Sequence, residues 1–204
     1  MTQAVWSKEM KLDLRFTSRP PFAVWCEAVA GFIHEGSFIE EENMAGVDQK
    51  TSAYLRALNK RGFCKAEIGE TLLLPGEDRL MAKKVVLKGL GPKDQITPEL
   101  FLSQVAGLAA CLRALGVISF AVKIPLLFGV DQYHEQVRHT VQEAVNPFLA
   151  GSKGEDDEMV TAVFSVERTL LGEISEVESL LRNYFKDIVP FSLVIEPPGG
   201  KSEI

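Results

Sequence analysis

The chain has 204 residues, enough for one domain that buries roughly two-thirds or more of its unfolded surface. Its 46% hydrophobic and 25% charged residues are a globular composition, and no apolar run nears the roughly 20 residues of a membrane span. The net charge of −6, without a basic stripe, makes nucleic acid an unlikely partner, because phosphates need clustered lysine and arginine.

Met1 to Met10 holds no apolar core of the signal-peptide kind, so the cytoplasm is the expected compartment. Met10, Leu12, Leu14 and Phe16 then alternate with Lys11, Asp13 and Arg15, a period of two that predicts a half-buried strand. Pro20-Pro21 ends it. Phe22 to Ile33 is apolar and predicts a second, more buried strand, with Gly31 marking an end or a bulge. His34 to Asn43, with the acidic run Glu40-Glu41-Glu42, reads as a polar loop. Val47, Thr51, Tyr54, Leu55 and Leu58 fall at helical spacing, and Gly62 supplies a stop. Thr71 to Leu74 predicts a short strand closed by Pro75-Gly76. Lys83 to Lys88 predicts the next, and its Val-Val-Leu core implies burial on both faces.

Thr97 is placed as an N-cap, with Pro98 at the first helical position, where a missing N–H costs nothing. Phe101, Val105, Leu108, Leu112 and Leu115 form the apolar stripe of that helix, and Gly116 ends it. Ile118 to Ile124 predicts a strand closed by Pro125. Asp131 to Phe148 predicts a helix with Tyr133, Val137, Val141, Ala144, Val145 and Phe148 inward, ended or frayed at Asn146-Pro147. Gly151 to Glu158 reads as a flexible acidic connection and Met159 to Val166 as a strand. Ser175 and Glu178 have the spacing of a capping box. Val177, Leu180, Leu181, Tyr184 and Phe185 form the apolar face behind it. Phe191 to Ile195 predicts a last strand, and residues 197–204 a disordered tail.

Strands and helices alternate from residue 70 onward. That order predicts an α/β protein, a three-layer α/β/α sandwich on a mixed sheet, with residues 1–196 as a single domain. The three cysteines, Cys26, Cys64 and Cys111, are too widely spaced for a zinc knuckle and odd in number, against a disulfide framework.

Four segments carry a resemblance: Ser52-Ala53-Tyr54-Leu55, Arg61-Gly62-Phe63, Ile68-Gly69-Glu70-Thr71-Leu72-Leu73-Leu74 and Val85-Val86-Leu87-Lys88-Gly89-Leu90-Gly91. In that order they resemble the N-terminal domain of the cytosolic leucyl aminopeptidases, and the likeness extends more loosely from about residue 10 to 190. That domain is similar to the macro domain, a module that binds ADP-ribose and related nucleotides. Val85 to Pro92 looks like the macro strand ending in Val-Gly-Pro, and Ser119 to Pro125 like the strand leading to its diphosphate loop, with Gly129 in the place of a loop glycine. The resemblance implies a macro-like fold. In the family, two metal ions are held by a later catalytic domain that carries an Asn-Thr-Asp-Ala-Glu-Gly-Arg signature. This sequence lacks that signature and stops before such a domain, so no catalytic residue, metal or cofactor is expected of it.

Two turns are candidate ligand sites. Pro125, Leu127, Phe128, Gly129, Val130 and Asp131 join a strand end to a helix start, where backbone N–H groups can cradle a phosphate. Asp131 on the first turn favours capping the helix instead of holding an anion. Gly89 and Gly91, in Gly89-Leu90-Gly91-Pro92, form either a binding loop or a plain tight turn, because the third glycine and ribose-binding acid of a dinucleotide fingerprint are missing. Asp131, His134, Glu135 and Arg138 share one helix face, either ion-paired or metal-binding. Cys64 is the one thiol weighed as a nucleophile, without a nameable base. The sequence thus predicts a non-catalytic binding or assembly module that pairs with itself or another protein. The alternative is an ADP-ribose or nucleotide binder with weak hydrolase activity.

Overall fold

Among the described residues, seven strands form one sheet: β1 (Lys11–Thr17), β2 (Cys26–Ile33), β3 (Thr71–Pro75), β4 (Ala82–Gly89), β5 (Ser119–Lys123), β6 (Met159–Ser165) and β7 (Phe191–Ile195). The computed structural model describes residues 10–36, 42–76, 79–150 and 158–197, with backbone alone at 42–44 and 173. The order across the sheet is β3-β4-β2-β5-β6-β1-β7. Every neighbouring pair is parallel except β3 with β4, so the sheet is mixed.

Among the described residues, five α-helices cover it: α1 (Glu42–Lys50), α2 (Tyr54–Lys60), α3 (Pro98–Ala114), α4 (Tyr133–Leu149) and α5 (Ile174–Phe185). Crossovers between parallel strands are right-handed, so the direction of each step along the sheet decides the face its helix lands on. The steps β4 to β5, β5 to β6 and β6 to β7 all run one way. Accordingly α3, α4 and α5 share a single core with Leu12, Leu14, Phe16, Val86, Phe120 and Phe164. The step from β2 to β4 runs the other way, and Val47 of α1 and Leu55 of α2 pack with Ile33, Val85 and Leu87 on the opposite face.

The link from β1 to β2 also runs that way and is short. It crosses the second face through a single 3-10 turn, Pro21–Ala23, and Val24 packs there against Ala121 and Val163. Gly46 of α1 lies so close to the Phe22 ring that a Cβ would fall 2.2 Å from a ring carbon. The second helical layer therefore covers the β3-β4-β2 end of the sheet, and the crossing segment packs over β5 and β6.

The strand and helix order from residue 71 onward is as the sequence predicts, and the N-cap is too: Leu100 N–H donates to Thr97 Oγ1 at 3.2 Å. Several local expectations are corrected. The first strand is mostly buried instead of half-buried, because Asp13 accepts from Ser192 Oγ at 2.8 Å and from Arg15 Nε at 2.8 Å. Gly31 is neither an end nor a bulge; it pairs with Leu87 inside β2. The helix expected around Val47 to Leu58 is two helices, broken where Ser52 and Ala53 take φ of 58° and 61°. Asn43 belongs to α1 and not to a loop. Helix α4 runs through Pro147 to Leu149 instead of ending at Asn146.

Ser175 caps nothing, because a 3-10 turn at Arg168–Glu173 leads directly into α5 and Glu178 pairs with Arg182 at 2.7 Å. Leu180 is exposed. The acidic runs at 40–41 and 155–157, and the tail beyond residue 197, lie outside the described residues.

Candidate functional site

Six parallel strands bring their carboxyl ends to one edge of the sheet. The chain reverses its stepping direction at β2, which has β4 on one side and β5 on the other. In open α/β sheets such a switch point is where ligands bind, outside the carboxyl ends. Both candidate turns lie there, Gly89–Pro92 after β4 and Pro125–Asp131 after β5.

The first turn is closed to a ligand's oxygens by its own bonds. Gly89 N–H donates to Glu70 O at 2.8 Å, Leu90 N–H to Ile33 O at 2.9 Å and Gly91 N–H to Ala66 O at 2.9 Å. Pro92 has no N–H. The carbonyl of Gly91 accepts from Glu35 N–H at 3.0 Å and lies 3.3 Å from Nδ1 of the buried His34. Burial pushes the His34 pKa below the ordinary imidazole value, and the bond to Gly91 acts the other way. A Cβ on Gly89 would fall 2.1 Å from Glu67 O, so glycine is required by close approach of backbone. These bonds favour the tight turn over the binding loop.

The second turn is held at its start and open at its middle. Lys123 Nζ pairs with Glu167 Oε1 at 2.8 Å, and Ile124 N–H donates to Ser165 O at 2.8 Å. The buried Tyr133 hydroxyl donates to Ile124 O at 3.1 Å and accepts from Glu167 N–H at 3.2 Å, which ties the β5 and β6 connections together. Burial pushes the Tyr133 phenol up, so it stays protonated to make that donation. The Gln136 amide donates to Pro125 O and accepts from Leu127 N–H at 3.4 Å. Beyond these clamps, the amides of Leu126, Phe128 and Gly129 find no acceptor among the described residues. Gly129 has φ 89° and ψ 162°, a conformation essentially restricted to glycine. Asp131 sits in a 3-10 turn, Val130–Gln132, and the N-cap of α4 is Gln132 without a side-chain bond, so the expected capping by Asp131 is not made.

Beneath Phe128 lies a cleft of about 420 Å³ between the first turns of α3 and α4. Phe101, Leu102 and Phe128 supply its apolar lining, with Glu99, Glu135 and His139 among the polar residues. The rings of Phe101 and Phe128 meet edge to face at 6.3 Å. Glu135 pairs with Arg138 and lies 3.3 Å from His139 Nε2. The Arg138 hydrogen bond is the chief reason its carboxyl sits below the usual range. The predicted ion-paired face is therefore built from Glu135, Arg138 and His139, while His134 faces Glu176 at 3.8 Å. Among the described residues, no three His, Cys, Asp or Glu side chains gather as a metal site would require. Cys64 is buried, which raises its thiol pKa, the reverse of nucleophile activation.

Tyr133 was legible as an inward helix residue but not as a clamp, and Gln136 and Lys123 gave no signal. Their roles depend on which strand ends the topology brings together.

The N-terminal domain model of the cytosol aminopeptidase family matches residues 29–147, more than half of the chain. A probable cytosol aminopeptidase of Pseudomonas fluorescens is 33% identical over 70 residues, which cover 34% of this chain and 14% of that protein. Among solved structures, a mutant tomato leucine aminopeptidase superposes with a TM-score of 0.58 at 13% identity, over 76% of this chain and 32% of that one. A Trypanosoma brucei macrodomain in complex with ADP-ribose superposes with a TM-score of 0.62 at 13% identity, over 82% and 68% of the two chains. The chain thus spans less than a third of the aminopeptidases it matches, and at these identities the structural likeness is one of fold: macro-like α/β.

Proposed function

The chain belongs to the cytosol aminopeptidase family, through that family's N-terminal domain, and on this premise we propose that it is a non-catalytic binding or assembly module. One observation carries the reading. Trp25 is 81% exposed, at the point where the crossing segment enters β2. The next residue, Cys26, donates its N–H to Met81 O at 3.1 Å and pairs with Ala82, so Trp25 and the partly exposed Met81 are neighbours at the start of β2 and β4. A tryptophan can bury roughly 150–250 Å². Tryptophan and methionine left bare side by side have the composition of an interface core. A second copy of the chain, or another protein, covers this patch in our reading, with residues 1–196 acting as one cytoplasmic unit. Size-exclusion chromatography with light scattering tests it. The expected result is an oligomer, or a complex recovered from lysate, that Trp25→Ala disperses. A strict monomer that captures no partner ends the reading.

A second reading is favoured by a different observation, the free amides of Leu126, Phe128 and Gly129 at the carboxyl end of β5. Such amides can hold a diphosphate, and the Trypanosoma brucei macrodomain, of like fold, is described as an ADP-ribose complex. In this reading the chain binds ADP-ribose or a related nucleotide through the turn Pro125–Asp131 and hydrolyses it weakly. Calorimetric titration decides it: heat that Gly129→Val abolishes supports it, and no heat at millimolar ADP-ribose removes it.

A further inference from the structure

We propose that the cleft between the first turns of α3 and α4 binds a small organic cation with an aromatic or branched-alkyl body. Its volume, about 420 Å³, is in the usual range for small-molecule sites, and its lining joins Phe101, Leu102 and Phe128 with five polar residues, Glu99 and Glu135 among them. The charge around it has one sign to offer. Among the described residues, no lysine or arginine lines the cleft. The guanidinium of Arg138, three residues after Glu135, is engaged by Glu135 and by His139 Nε2 at 2.8 Å. Glu135 uses Oε2 for Arg138 and His139, and its Oε1 accepts no bond among the described residues. On the α3 side Glu99 stands fully exposed, in the first turn.

The two helix N-termini would favour an anion by themselves, but acids already occupy both first turns and take up that potential. What remains is a slot with the half-buried Phe128 ring in its wall and carboxylate oxygens at its lips. An ammonium or guanidinium fits those lips, and the half-buried Phe128 ring accepts both its body and its charge, with the buried Phe101 ring packed behind it. A phosphate or carboxylate meets the exposed Glu99 and the unused Oε1 of Glu135, beside an Arg138 already engaged by Glu135. The site is independent of the assembly reading, which concerns Trp25, and it shares Phe128 with the amide cradle at Leu126 to Gly129 but uses the ring and not the N–H.

The test is a two-dimensional ¹⁵N NMR titration of the whole chain with 2-phenylethylammonium chloride and, separately, with sodium 3-phenylpropionate. The two have similar bodies and opposite charge. The expected result is saturable movement of the Phe101, Leu102, Phe128 and Glu135 amides by the cation, at an affinity about ten-fold or more above that of the anion. The double variant Glu99→Gln with Glu135→Gln should lose that preference while unfolding as cooperatively as the parent. Equal response to both ions, movement confined to other residues, or a preference that survives the double variant overturns the proposal.

Discussion

The Tyr133 hydroxyl donates to the carbonyl of Ile124 at 3.1 Å, so the first residue of α4 holds the residue that directly follows β5. The same oxygen receives Glu167 N–H at 3.2 Å, and Tyr133 is only 1% exposed. Removing it strands one buried acceptor and one donor. Tyr133→Phe keeps the ring and its packing, so its cost isolates the two bonds, about 1–3 kcal/mol. Urea unfolding should show a lower midpoint with an unchanged slope. If the midpoint does not move, water satisfies both groups and the clamp is not structural.

Gly89 and Gly129 each stand in one of the two candidate turns, and glycine suits them for different reasons. A Cβ on Gly89 meets Glu67 O at 2.1 Å and the Ala66 carbonyl carbon at 2.8 Å, both of them backbone. Gly89→Ala must therefore push the 66–70 connection off the end of β4, with loss of the Gly89–Glu70 bond. A Cβ on Gly129 meets nothing within 4 Å, and the cost is only conformational, about 1–3 kcal/mol for its φ and ψ. Thermal unfolding of the two alanine variants should rank Gly89→Ala well below Gly129→Ala. The reverse order would mean that the 66–70 connection yields freely.

Element order was legible in the sequence because alternation and helical spacing report burial directly. Leu12, Leu14 and Phe16, and the stripe from Phe101 to Leu112, fall where their periods put them. What was not legible depends on partners far along the chain. Pro147 is tolerated inside α4 because it removes one bond near the helix end, while Val145 and Phe148 on either side are anchored in the core. Ser175 matches a capping box, yet Ile174 is buried at 0% and draws the preceding turn into the core, so the helix begins before the serine. At the candidate site, the glycines and the proline were visible. The clamp by Tyr133 and Gln136, and the Phe101–Phe128 contact that floors the cleft, arise only when the topology sets β5 beside α3 and α4.

The break between α1 and α2 is held by Asp48, which is 2% exposed. The N-cap of α2, Ala53, has no side chain to offer, and Asp48 Oδ1 accepts Arg56 N–H at 3.0 Å in its stead. Its own carbonyl receives Ala53 N–H at 2.8 Å, which folds the left-handed pair Ser52-Ala53 into place. Asp48→Ala should cost about 1–2 kcal/mol, in the range of a lost N-cap, and Asp48→Asn less, because an acceptor remains. Hydrogen exchange should show the loss first at the amides of Tyr54–Lys60. Uniform deprotection of the whole chain would place Asp48 in the global core instead of this local joint.

His34 gives stability a dependence on pH whose sign follows from its burial. The ring is 1% exposed at the carboxyl end of β2, and desolvation holds its folded-state pKa below the ordinary value of 6.5. Lys93 pushes the same way and the Gly91 carbonyl the other. In the unfolded chain the ring takes up a proton below about pH 6.5, while in the folded chain it resists until lower pH. The unfolded state then binds more protons, so stability is full above pH 6.5 and falls as pH drops from there toward the folded pKa. Ring NMR should show His34 titrating below 6.5, and His34→Gln should flatten the fall in urea midpoint across that window. A His34 pKa at or above 6.5 would reverse the sign, and would mean that the Gly91 carbonyl outweighs burial in deciding the charge of the ring.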